Sequence, residues 1–228
     1  KDKRVVNFLK KKNFKVIEIG DYEKFELSEK FKIMLIKNDQ IDSLSIFEAG
    51  DKTLINTNDC VLDEKKLIKI KEKTSFQQSD ILFTQFSYAS WIGNPNNSIL
   101  RKEASKEKLD QIKSQIQIFK PKVTIPFASY IYFCHEENRY MNDEITNIQN
   151  VKDVIKENNS KPIFLYPGSC YEMNNNKNNF ESDFLRYKED FLNINSKKFI
   201  KTKKINFDDL KLNSENYLKK IKSKNGSL

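Results

Sequence analysis

Short apolar runs alternate with longer amphipathic segments through the central part of the sequence, and this alternation restricts the possible folds more than any other feature. Three runs have the length and composition of buried strands: DILFTQF (80–86), KVTIPFA (122–128) and KPIFLYP (161–167). Residues 105–120 place apolar side chains on one helical stripe that Pro121 ends, and a second helix is predicted within 143–157. Repeated strand-helix-strand units predict a sheet covered by helices.

The flanking segments extend this α/β pattern on both sides. Three further strands and a helix are predicted before it: 31–38, 42–50 and 52–59, with EAGD as a tight hairpin turn, and a helix at 62–73. A polar stretch, NNNKNN, separates a predicted domain at 1–173 from a basic tail at 174–228, in which helices are predicted at 180–192 and 207–224. The tail is either an accessory element packed on the core or a small separate unit.

Charge and cysteine content restrict the partners and the compartment. The net charge of +9 suits a small anionic partner, but only four of the 41 basic residues are arginine and the lysines are interspersed with acids, which argues against dedicated nucleic-acid binding. Three cysteines without C-x-x-C spacing indicate neither a disulfide framework nor a thiolate zinc site, so we expect a cytoplasmic protein. No apolar run approaches the roughly 20 residues that a membrane span requires.

Polar loops follow three of the predicted strands: NTNDC (56–60), QFSYASWIGNP (85–95) and FASYIYFCHEEN (127–138). Because loops from separate strands converge at the ends of such a sheet, Asp59 and the single histidine, His135, are candidate neighbours. A carboxylate and an imidazole both bind zinc, iron or manganese, although two ligands do not complete a site. On the residues alone, the more usual interpretations are that Asp59 caps the following turn and that His135 is a surface or hydrogen-bonded histidine.

Four further residues are candidates for substrate contact. The loop SYASWIGNP offers backbone N–H groups and the hydroxyls of Ser87 and Ser90 to an anion, although a plain surface loop, with Trp91 anchored to the core, explains it as well. Tyr130 and Arg139 are the other two.

Four blocks in this order resemble the metallo-beta-lactamase-like domain of the CMP-N-acetylneuraminic acid hydroxylase family: SIFEAGDKTLINTNDC, DILFTQFSYAS, KPKVTIPFASYIYFCHEENRYMND and KPIFLYPGSCYEM. The resemblance spans residues 4–173 and implies half of an alpha-beta/beta-alpha sandwich with metals at one edge. It also implies that Asp59 bridges two metals and that His135 completes the shell of one, with a divalent metal (zinc, iron or manganese) in the intact protein.

The same resemblance shows what this sequence lacks. The main ligand cluster of that superfamily, H-x-H-x-D-H, and the Rieske-type domain of that family both need more than one histidine, and this chain has one. Either the chain is the C-terminal part of a hydrolase or hydroxylase whose N-terminal half holds the other ligands, or it is a degenerate, non-catalytic relative that binds an anionic partner. The start at Lys1 favours the first, with a sugar nucleotide or another small anion as the expected substrate.

Overall fold

A seven-stranded sheet organises the chain in a computed structural model that describes residues 3–38, 42–74, 76–128, 130–173 and 180–225. The strands are β1 (Lys24–Ser28), β2 (Phe31–Asn38), β3 (Asp42–Ala49), β4 (Lys52–Asn56), β5 (Ile81–Gln85), β6 (Val123–Ala128) and β7 (Lys161–Pro162). The helices are α1 (Arg4–Lys11), α2 (Glu64–Thr74), α3 (Ser98–Phe119), α4 (Ile148–Glu157), α5 (Glu181–Leu192) and α6 (Phe207–Asn225), with 3-10 helices at Arg139–Asn142 and Ile194–Ser196.

The strands lie in the sheet in their order along the chain. Strands β1 to β4 pair antiparallel, and β4 to β7 pair parallel. The predicted hairpin between β3 and β4 is confirmed, and Gly50 provides its turn with a φ of 63°, which a residue with a Cβ adopts only at a cost. Each parallel pair is connected through a helix or a longer segment, as parallel pairing requires. The predicted α/β class with a mixed sheet is confirmed.

Helices α2, α3, α4 and α5 cover one face of the sheet. Their buried residues pack against alternate strand residues in one apolar cluster. The sheet contributes Ile36, Leu44, Ile46, Ile55 and Leu82. The helices contribute Leu67, Ile70, Ile112, Ile116, Phe119, Ile148, Val151, Ile155, Phe184 and Tyr187. Since successive strand residues point to opposite faces, the neighbouring positions belong to the other face.

The second face of the sheet carries aligned apolar rows. In one row the register brings Ile33, Phe47, Leu54, Ile81 and Val123 side by side. Ile81 and Val123 are buried beneath the segment that follows β7, whereas the first three are only half-buried. Within the described residues, no helix belongs to the apolar cluster on this face.

The two helices of the predicted tail pack differently. Phe184 and Tyr187 of α5 are buried in the main cluster, so this helix packs on the core. Helix α6, in contrast, has no buried residue. The predicted loop at 174–179 lies outside the described residues.

Several predicted boundaries were wrong for identifiable reasons. The short elements α1 and β1 were missed; both expose most of their side chains. Helix α3 begins at Ser98 rather than at 105, and its first turn was missed because Ile99 and Leu100 point to solvent. Strand β4 ends at Asn56 rather than at 59, since Asn58 adopts a φ of 51°. Strand β7 ends at Pro162, although the buried run continues through Ile163 and Phe164.

Candidate site at the carboxyl edge of the parallel strands

The carboxyl ends of β4, β5 and β6 meet at one edge of the sheet. The register pairs Asn56 with Phe83, and Gln85 with Ala128, so the three strands stop at nearly the same level. The three polar loops predicted from the sequence therefore leave the sheet from a common edge, which is where parallel sheets place their binding sites.

Asp59 lies at the tip of the tight turn that follows β4. Thr57 fixes the base of the turn, because its N–H and its Oγ1 both donate to the Phe83 carbonyl at 3.0 Å and its own carbonyl accepts from Cys60 N at 3.0 Å. The carboxylate of Asp59 is exposed and makes no hydrogen bond or ion pair within the described residues. The following helix is capped instead by Asp63, whose Oδ1 accepts from Lys66 N at 2.7 Å. A capping role for Asp59 is thus excluded.

Lys108 of α3 brings a positive charge to this edge. Its Nζ donates to Gln85 Oε1 at the end of β5. Burial lowers the pKa of Lys108, and the negative charges of Asp59 and Glu107 oppose that shift. The charge of Asp59 therefore favours an ammonium group at the edge, where the sequence predicted a metal cation.

His135 lies in the segment that follows β6 and is half-buried. It forms a parallel bridge with Ile200 of the tail, and its N–H donates to Asn138 Oδ1 at 3.2 Å. The pKa of the neighbouring Glu137 is lowered mainly by hydrogen bonds from its own backbone and from Thr202, with a smaller electrostatic contribution from His135. The tail thus holds the backbone of the only histidine in place.

The two predicted metal ligands are not joined by a hydrogen bond or an ion pair in the described chain, and their roles stay predictions. Among the described residues, no group of three or more His, Cys, Asp or Glu side chains is placed to hold a metal ion. Asp59 and His135 therefore fit a metal only as part of a ligand set that other residues complete.

The loop after β5 is clamped to the segment at 139–146. Tyr88 Oη donates to the Met141 carbonyl at 2.6 Å, and Tyr140 Oη donates to the Gly93 carbonyl at 3.0 Å. Ser87 is 2% exposed and its Oγ accepts from Thr146 N at 3.1 Å, so this hydroxyl is placed inside the clamp rather than on the surface. The loop that carries the predicted anion contacts is therefore held by hydrogen bonds to the segment at 139–146.

The other predicted substrate contacts differ in their surroundings. Ser90 is exposed on the clamped loop, next to Trp91, which is 66% exposed and does not anchor the loop to the core. Arg139 is exposed and its guanidinium lies 4.9 Å from the ring centre of Phe199. Tyr130 stacks on Tyr187 with ring centres 3.7 Å apart.

The hydroxyl of Tyr130 is buried and has no hydrogen-bond partner among the described residues. Burial raises the pKa of Tyr130, so this hydroxyl stays protonated. Tyr130 also belongs to a tyrosine-lined cleft beside helix α5, which was not predicted. A signal was present, since six of the nine tyrosines lie between 130 and 187.

Comparisons with known proteins found a distant likeness among solved structures. No protein-family model matches the chain, and no curated protein matches it either. A mutant of the CmlA beta-hydroxylase matches among solved structures with 12% identity and a TM-score of 0.44, over 67% of this chain and 33% of the hydroxylase. The chain thus spans about a third of the length of that protein, and likeness at this level carries no functional conclusion. Within the described residues, no helix has both the length and the apolar character needed to cross a membrane.

Proposed function

We propose that this chain is the C-terminal part of a metal-dependent hydrolase or hydroxylase with the metallo-beta-lactamase-like fold, related to the CMP-N-acetylneuraminic acid hydroxylases. The observation that carries the proposal is the unpaired carboxylate of Asp59 at the common carboxyl edge of β4, β5 and β6. An exposed carboxylate at that edge, without a cap or a salt bridge, is available as a ligand.

The second face of the sheet supports an N-terminal half of the same domain as partner. Antiparallel strands with one face in water normally alternate apolar side chains on the covered face with polar side chains on the solvated face. Here Ile33, Phe47 and Leu54 form a half-buried apolar row on the face opposite the helices. A second sheet packed on this row would complete the sandwich and bring further ligands to the edge that holds Asp59.

The residues of this chain would hold the metal from one side and the substrate from another. Asp59 and His135 would supply ligands, and the bound metal would activate water or oxygen. Lys108, Ser90 and Arg139 would attract the negative charge of a substrate such as a sugar nucleotide, since ammonium, hydroxyl and guanidinium groups all donate hydrogen bonds to phosphate or carboxylate oxygens.

Metal analysis of the full-length protein tests this proposal. After reconstitution with zinc, iron or manganese, we expect stoichiometric metal that Asp59→Ala and His135→Ala each reduce. Asp63→Ala is the matched control, because Asp63 lies four residues from Asp59 but caps α2 and should leave the metal content unchanged. Full-length protein that stays metal-free after reconstitution refutes the enzymatic proposal.

A non-catalytic protein that binds an anion is the second candidate, and Lys108 is the observation that favours it. The Lys108 ammonium already places a cation at the strand edge through its bond to Gln85. If this candidate is correct, metal-free protein binds a nucleotide, and Lys108→Gln weakens that binding while Lys106→Gln, on an exposed position of the same helix, does not.

A further inference from the structure

A small cleft lies between the loops that follow β6 and β7 and the helix α5. Its volume is about 250 Å³, which is below the roughly 300–1,000 Å³ of sites for drug-sized ligands and suits a small group. Four of its lining residues are tyrosines, and the others are apolar or belong to one ion pair: Tyr130, Tyr132, Tyr166, Tyr187, Ile131, Phe191, Ile194, Asp190 and Lys197. We call this space the tyrosine cleft.

Cations of the chain itself already lie against the aromatic rings of the tyrosine cleft. The Arg186 guanidinium carbon is 3.7 Å from the ring centre of Tyr166, and Lys197 Nζ is 5.9 Å from the ring centre of Tyr132. The face of an aromatic ring is electronegative and attracts a cation within about 6 Å. These rings therefore present faces that attract positive charge.

Asp190 gives the cleft a fixed negative charge. Its Oδ1 accepts from Lys197 Nζ at 2.9 Å, and its Oδ2 accepts from Tyr166 Oη at 2.7 Å. These two hydrogen bonds lower the pKa of Asp190, so the carboxylate stays ionised at neutral pH. A carboxylate with about four acceptor positions has capacity left for a further cation.

Lys197 lies at the border between two depressions. Its side chain lines the tyrosine cleft and also a neighbouring depression bordered by Arg186, Glu189 and Ser196. Rotation of Lys197 away from Asp190 would open the carboxylate to the cleft, with Arg186 on the ring of Tyr166 as a remaining nearby cation. Aromatic rings around a carboxylate form the kind of surroundings that bind quaternary ammonium ligands.

We propose that the tyrosine cleft binds a small organic ammonium group, which takes the place of the Lys197 ammonium against Asp190. An uncharged group of the same shape would fill the volume but would gain nothing from the carboxylate or from the ring faces. The proposal goes beyond the proposed function and does not depend on a metal.

Titration with choline and with its uncharged isostere, 3,3-dimethylbutan-1-ol, tests the charge requirement. Calorimetry on the wild-type protein should show choline binding at least tenfold more tightly than the alcohol. Equal binding of the two would mean a merely apolar cavity and would overturn the proposal. So would the absence of choline binding in both the wild type and Lys197→Met.

Four variants then assign the binding to the tyrosine cleft. Asp190→Asn should weaken choline at least tenfold, whereas Glu189→Gln removes the same charge one residue away, outside the cleft, and should change the affinity less than twofold. Lys197→Met should tighten choline several-fold because the competing ammonium is gone. Tyr132→Leu should weaken choline binding, whereas Tyr132→Phe, which keeps the ring face, should bind choline as the wild type does. Thermal unfolding of each variant separates lost binding from lost folding.

Discussion

Replacing Arg101 by methionine is expected to lower the free energy of unfolding by about 3 kcal/mol. The side chain is 0% exposed, and its guanidinium pairs with Asp143 through Nε–Oδ1 at 2.7 Å and Nη2–Oδ2 at 2.6 Å. It also donates to the carbonyls of Asn94 at 2.8 Å and Pro95 at 3.1 Å. Arg101 thus fastens the loop after β5 to the segment that contains Asp143.

The magnitude follows from what the substitution leaves behind. Removing one partner of a buried ion pair costs about 3–5 kcal/mol, largely because the other charge remains buried. The Asp143 side chain is 39% exposed, so water can solvate it again, and the cost falls at the lower end of that range. With an m value of about 2 kcal/mol/M, the loss shifts the urea midpoint by about 1.5 M.

Urea unfolding measures the loss of stability. Hydrogen exchange of residues 87–97 measures whether the loop after β5 opens more often. Lys102→Met on the same helix is the matched control, since Lys102 is exposed and surface substitutions usually change stability by less than about 0.5 kcal/mol. Arg101→Lys keeps the charge but loses the bidentate contact with Asp143, so its stability should lie between those of Arg101→Met and Lys102→Met. If Arg101→Met unfolds within about 1 kcal/mol of the wild type and the loop exchanges no faster, the clamp is not a significant source of stability.

Two further predictions concern buried polar groups. Gln115→Leu should cost about 1–3 kcal/mol in urea unfolding, because Gln115 Oε1 accepts from Thr84 Oγ1 at 2.6 Å and from Thr57 Oγ1 at 3.4 Å in the interior; an unchanged midpoint would contradict this. Burial raises the pKa of Tyr187 from 10 in the unfolded chain to about 12 in the folded protein. The folded state therefore gains stability from the neutral hydroxyl; this gain is fully present below pH 10 and is lost as the pH rises towards 12. Unfolding of Tyr187→Phe should therefore depend less on pH between 10 and 12 than that of the wild type, and parallel curves would refute the shift.

The sequence predicted the sheet well because its central strands are buried and apolar. Ile81 and Leu82 lie on opposite faces and both are buried, which is why β5 is visible as a continuous run rather than as an alternation. The stripe of Ile112, Ile116 and Phe119 is buried as predicted. Burial does not explain every outcome, since neither α1 nor α6 has a buried residue, yet α6 was predicted and α1 was missed.

The candidate site was predicted only in part, because its contacts join residues far apart in the sequence. Arg101 and Asp143 are 42 positions apart, and no local pattern indicates that they pair. The position of Asp59 follows from the strand that precedes it, whereas the burial of Ser87 depends on a backbone amide 59 residues away. The sequence therefore indicated the loop that holds Ser87 but not the distant partner of its hydroxyl.

The half-buried row on the second face leads to a test of the two-half architecture. Phe47 pairs in register with Ile33 and Leu54 and stacks on Phe31 with ring centres 6.0 Å apart. In residues 1–228 alone, Phe47→Lys should cost at most about 1 kcal/mol, since the lysine stem covers the row while the ammonium reaches water. In a longer protein whose N-terminal half covers this face, the same ammonium would be buried, and the cost should rise to about 3 kcal/mol or more. Urea unfolding of both forms measures the difference, and an equally small cost in each would mean that nothing packs on this face.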